Sequence, residues 1–116
     1  MRKILFFKGW LAYILRFLKI VPLTLQKYIY FRGYFFVQTK HSKGFFLNNW
    51  GHSNFEIENK IFWNGIYSFD ESISIQLWEK LAQSADFIID IGANTGIYSL
   101  LAQTTNPRAK VLAFEP

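Results

Sequence analysis

The sequence predicts an α/β fold, and three stretches near its C-terminal end carry that prediction. Phe87-Ile88-Ile89 is an apolar β-type run, Ile97-Tyr98-Ser99-Leu100-Leu101-Ala102 reads as a helix, and Val111-Leu112-Ala113-Phe114 is a second β-type run. Asp90-Ile91-Gly92-Ala93-Asn94-Thr95-Gly96 joins the first strand to the helix, and Glu115 closes the second strand. Strand, glycine-bearing turn, helix, strand and terminal acid form the front half of a nucleotide-type cofactor site.

Ahead of that unit, residues 4 to 21 are apolar but interrupted by Lys8, Arg16 and Lys19. At 100° per residue those cations fall within about 80° of a helical wheel, opposite Phe6, Phe7, Trp10, Phe17 and Leu18, so the pattern predicts an amphipathic helix. Pro22 disfavours helical geometry at Val21 and sets its end. The interspersed cations argue against a spanning helix. No small-residue cleavage site follows, which argues against a signal peptide. Two readings of the helix stand: an in-plane membrane helix over residues 1–21, or a helix that packs on another domain or a second copy.

Residues 34 to 38, 44 to 48 and 55 to 62 read as short antiparallel strands, separated by Lys43-Gly44 and Asn48-Asn49-Trp50-Gly51 turn signals. The third rests on the alternation in Phe55-Glu56-Ile57-Glu58-Asn59-Lys60-Ile61. Residues 72 to 84 suit a helix with Ser72 as N-cap and Ile73, Leu77, Trp78 and Leu81 on one face. The expected organisation is a basic helical segment at 1–33, a β-rich lead-in at 34–71 and the start of the cofactor domain at 72–116.

Charge divides unevenly: residues 1 to 55 hold nine Lys or Arg and no Asp or Glu, against four basic and eight acidic residues in the remainder. Such a split points to an anionic surface as partner. Tyr28, Tyr30, Phe31, Tyr34, Phe35 and Phe36 among Lys27, Arg32 and Lys40 resemble the stacking platforms that bind nucleic acid. No RNA-binding signature accompanies them, and aromatics this dense are usually buried strand residues, so nucleic acid is the weaker reading. The absence of cysteine excludes disulfides, thiolate metal sites and a cysteine nucleophile.

The glycine spacing separates candidate ligands. A dinucleotide fingerprint places glycine where this chain has Asn94, and no lysine follows Gly96 as a P-loop requires. Asp90 puts a carboxylate on the crevice rim, Asn94 tolerates left-handed backbone, and Glu115 stands where a carboxylate can accept from ribose hydroxyls. Asp-x-Gly-x-Asn-x-Gly with a Glu ending the next strand resembles the S-adenosylmethionine motif of Rossmann-like methyltransferases. Asp-Ile-Gly-Ala-Asn-Thr-Gly-Ile-Tyr-Ser-Leu with Val-Leu-Ala-Phe-Glu-Pro is similar to the FkbM family, as is the preceding Trp63-Asn64-Gly65-Ile66-Tyr67.

The resemblance covers about residues 62 to 116 and implies the N-terminal part of a Rossmann-like class I methyltransferase fold. It further implies S-adenosyl-L-methionine as cofactor, held by Asp90, Gly92, Ala93, Asn94, Gly96 and Glu115, with Asp90 and Gly92 against its methionine part and Glu115 on its ribose. The implied acceptor is a small-molecule or glycan hydroxyl; the expected location is cytoplasmic, and peripheral on the membrane through residues 1–21 if the membrane reading of the N-terminal helix holds. Family members build a larger sheet with the first strand at its centre. The sheet here is therefore expected to be incomplete, with Phe87–Ile91 leaving an apolar, unpaired edge, and the chain alone is expected to be inactive. The alternative is a non-catalytic membrane-associating fragment with a vestigial cofactor loop. His41 and His52 are the only histidines; each reads as structural or exposed before it reads as a catalytic base. No cluster shows metal-ligand spacing.

Overall fold

Ten elements follow one another along the chain in the computed structural model, which describes residues 5–8, 10–49, 56–68 and 70–116. In order they are β1 (Leu5–Lys8), α1 (Trp10–Leu18), α2 (Leu23–Gln26), β2 (Ile29–Val37), β3 (Phe45–Asn49), α3 (Glu56–Asn64), α4 (Ser72–Ala82), β4 (Phe87–Ile91), α5 (Ile97–Thr105) and β5 (Lys110–Phe114). They divide into two compact units, one of residues 1–37 with 46–69, the other of residues 38–45 with 70–116.

The first unit departs most from expectation. The single helix expected over residues 4 to 21 is instead a strand, β1, followed by the nine-residue α1. β1 lies parallel to β2, with Leu5 opposite Ile29 and Lys8 opposite Arg32, and the sheet order is β1-β2-β3. Residues 5–8, expected to open that helix, are instead paired with a strand more than twenty residues away in the sequence. α1 stops at Leu18, before the proline, because Lys19 turns left-handed (φ 51°) and its N–H bonds the Arg16 carbonyl at 3.2 Å.

The strand expected at 55 to 62 is the helix α3. Glu56 and Glu58 lie in its first turn, where acidic side chains suit the helix dipole, and Glu56 pairs with Lys60 one turn on at 3.7 Å. The alternation also breaks at Asn59, which is buried: its amide donates to the carbonyls of Gln26 (3.0 Å) and Ile29 (3.1 Å). Trp63 Nε1 donates to the same Ile29 carbonyl at 3.0 Å. These bonds and an aromatic cluster fasten α3 to β2. Phe62 stacks on Phe31 with centroids 4.5 Å apart and meets Phe35, Tyr13 and Trp63 edge-on. Tyr30, Phe31 and Phe35, grouped above as a stacking platform, are therefore core residues.

In the second unit, β4 and β5 pair in parallel from Phe87↔Lys110 to Ile91↔Phe114, and α5 makes the crossover. Ala82, Ile88, Ala102 and Ala109 form a small core, with Trp78, Ala85 and Val111 packed on it. Asn106 holds the end of α4, donating to the carbonyls of Ala82 (3.0 Å) and Ala85 (2.8 Å). Ser72 does not cap α4: the cap position is Glu71, which makes no side-chain cap bond. The face expected to be buried is largely exposed, Ile73 at 82 % and Leu81 at 60 %, while Ile75, Glu79 and Ala82 face inward. Among the described residues β4 has β5 as its sheet partner, and Phe87, Ile89 and Ile91 are exposed on one face of the strand.

Candidate functional site

The turn between β4 and α5 owes its shape to three left-handed residues. Gly92 and Gly96 have φ of 76° and 79°, and Asn94, the residue that departs from the dinucleotide pattern, has φ of 47°. A Cβ at Gly92 or Gly96 would meet nothing within 4 Å, so backbone conformation, not space, requires glycine there. The amides of Gly92 and Ala93 both donate to the Phe114 carbonyl, at 2.8 and 3.0 Å, fastening the turn to the end of β5. The Gly96 amide donates to the Ala93 carbonyl at 2.7 Å, and the Gly96 carbonyl accepts from Leu100 at 2.8 Å to open α5.

The two acids bracket this turn differently. Asp90 shares the inward face of β4 with Ile88 and is 9 % exposed, its Oδ2 accepting the Ser99 hydroxyl at 2.6 Å. Glu115 is exposed, and its Oε2 accepts the Asn94 amide at 2.5 Å. A carboxylate has two oxygens and about four acceptor sites, so this bond leaves acceptor capacity beside the turn. The structure thus brings Asp90, Gly92, Ala93, Asn94, Gly96 and Glu115 into one loop region at the carboxyl ends of two parallel strands.

Four neighbours received no role at the site from the sequence pattern. Besides Ser99, Tyr98 donates to Glu71 Oε2 at 2.7 Å, and Trp78 Nε1 donates to the Tyr98 carbonyl at 2.9 Å, with its ring edge-on at 5.4 Å. Burial first, then the bond to Glu71 and that carboxylate's charge, push the Tyr98 phenol up to about 12, with Asp90 adding to the rise. Tyr98 is therefore a fixed donor at neutral pH. The available signal was positional: Tyr98 and Ser99 sit in the first turn of α5, where side chains point back towards the helix start.

His41 lies exposed in the 38–45 segment, away in sequence from the turn, and His52 is outside the described residues. Among the described residues, no group of His, Asp or Glu is arranged to hold a metal, and no helix is long and apolar enough to cross a membrane.

No family model matches the sequence, and no solved structure matches it. Among curated proteins, Methyltransferase sdnD of Sordaria araneosa is 54 % identical over 33 residues. That stretch is 28 % of this chain and 13 % of that protein's length, so the chain is similar to a methyltransferase over a short segment.

Proposed function

We propose that this chain carries the cofactor-binding start of an S-adenosylmethionine-dependent methyltransferase of the FkbM type, with a Rossmann-like fold and a sugar or secondary-metabolite hydroxyl as acceptor. The observation that carries the reading is the Asn94 turn: a left-handed, non-glycine residue whose amide is held by the acid ending the next strand. The short likeness to a methyltransferase supports the same class. In this reading the turn at exposed Gly92 and half-buried Ala93 admits the methionine portion, buried Asp90 is oriented towards it by Ser99, and Glu115 accepts a ribose hydroxyl. The cofactor would supply a methyl group open to in-line displacement, and the chain's own part is to hold it in a fixed orientation. Calorimetry tests this: S-adenosylhomocysteine binds the chain while NAD and ATP do not. Binding of NAD in its place would overturn the assignment.

The second reading, membrane contact, draws on α1 and the residues just after it. Phe17 is 85 % exposed, and Leu18, Ile20 and Leu23 are also exposed, forming an apolar run beside basic residues. Arg16, by contrast, turns inward over the Phe62 ring, 5.2 Å from its centroid, and burial lowers its pKa. Sedimentation with anionic liposomes, reversed by salt and reduced by Phe17→Ser, is the expected result. A wild-type chain that stays in the supernatant at low salt removes the reading.

A further inference from the structure

A second feature of the 38–45 and 70–116 unit lies outside the glycine turn. Residues 70–116 carry six acids and only three Lys or Arg, yet the 38–45 segment adds Lys40, His41 and Lys43 to this acidic unit. The segment is fastened in place. The Thr104 hydroxyl donates to the Gly44 carbonyl at 2.8 Å, Thr39 and Ser42 share a hydroxyl bond of 2.5 Å, and Phe45 is buried.

This placement sets Lys40 and His41 across a cavity of about 390 Å³ from Gln76, Glu79 and Lys80 of α4 and Gln83 at its C-cap. The three α4 residues and the C-cap Gln83, whose backbone is still helical, follow helical spacing and make one polar face, distinct from the Ile73, Leu77 and Leu81 stripe. The volume is within the range of small-molecule sites. Two ammonium groups outweigh the one carboxylate, Glu79, which is 1 % exposed. Each ammonium has three donors, so a ligand can join whatever protein contacts the lysines keep. The amides of Gln76 and Gln83 donate and accept, as hydroxyl groups require. We propose that this cavity between the 38–45 segment and α4 binds a small anionic sugar, its carboxylate or phosphate between Lys40 and Lys80 and its hydroxyls on the glutamine amides. The proposal is independent of the cofactor reading, since none of its residues belongs to the glycine turn.

The test is an NMR titration of the full chain, labelled with nitrogen-15, against glucuronate, glucose 6-phosphate, inorganic phosphate and uncharged glucose. One or both charged sugars should move the side-chain amides of Gln76 and Gln83 with a dissociation constant of about 1 mM or tighter, and glucose should not. Whichever of the two charged sugars binds identifies the anionic group. Lys80→Gln should weaken binding about threefold to fivefold with an unchanged melting temperature, because Lys80 is exposed. Lys110→Gln, outside the cavity, should have no effect. The proposal is overturned if neither charged sugar shifts these amides, if inorganic phosphate or glucose binds as tightly as they do, or if Lys80→Gln binds like the wild type.

Discussion

Replacing Glu115 probes both tasks assigned to it, since its carboxylate holds the Asn94 amide at 2.5 Å and remains exposed beside the turn. A hydrogen bond to a charged group contributes about 1.5–3 kcal/mol, and an exposed one falls at the low end. Asn94 also sits at φ 47°, a conformation that costs an ordinary L-residue about 1–2 kcal/mol and asparagine less, so loss of its partner loosens the turn. Glu115→Ala removes the proposed ribose acceptor as well as the hold on Asn94, and S-adenosylhomocysteine should bind about tenfold more weakly, or about 1.4 kcal/mol. Glu115→Gln keeps a neutral acceptor for the amide and should lose about threefold. Calorimetry on the three proteins reads these numbers directly. Wild-type affinity in both variants would refute the reasoning. A glutamine variant as weak as the alanine variant would place the whole effect on charge and none on the turn.

The remaining predictions concern stability and surface. Asn94→Gly should leave the fold as stable or slightly more so, whereas Asn94→Val should destabilise it by about 1–2 kcal/mol in urea, because a β-branched residue resists positive φ. Both carboxylate oxygens of Glu58 are buried without a hydrogen-bond partner among the described residues, and burial raises its pKa. A raised folded-state pKa means that its contribution is favourable below the ordinary glutamate range and is lost as pH rises through the folded value. Glu58→Met should therefore stabilise the chain by about 1–3 kcal/mol at neutral pH and by less near pH 4, checked by denaturation at both. Tyr98, raised to about 12 by burial and Glu71, should supply late-ionising phenolate absorbance that Tyr98→Phe removes, and its stabilising contribution should fade between about pH 10 and 12. Ile73→Lys with Leu81→Lys should reduce dye binding and self-association while changing stability by about 0.5 kcal/mol or less, since both side chains are mostly exposed.

The elements that were legible in advance share one property: their signals are local. Phe87, Gly92, Gly96 and the 111–114 run sit within thirty residues and agree on strand, turn, helix and strand, and the observed β4, α5 and β5 differ from the reading by three residues at most. The unanticipated elements depend on distant partners. Residues 5–8 become a strand because β2 is alongside, and α3 is a helix whose polar Asn59 is spent on carbonyls some thirty residues earlier. Periodicity correctly predicted a helix over 72–84, observed over 72–82, but chose the wrong face: Glu79, not Leu81, is inside. At the site, spacing pointed to Asp90, Gly92, Asn94, Gly96 and Glu115, but not to Ser99, Tyr98 or Glu71. Hydroxyl and carboxylate partners of that kind leave no periodic mark.

The central claim is that the Gly92–Gly96 turn with Glu115 recognises S-adenosylmethionine and not a dinucleotide. The most direct measurement is the backbone amide NMR spectrum of the chain with and without S-adenosylhomocysteine, and separately with NAD. The account predicts that S-adenosylhomocysteine moves the amides of Gly92, Ala93, Asn94 and Gly96 together with Glu115, and that NAD leaves them in place. Unmoved loop amides with S-adenosylhomocysteine, or the same set moved by NAD, would contradict it.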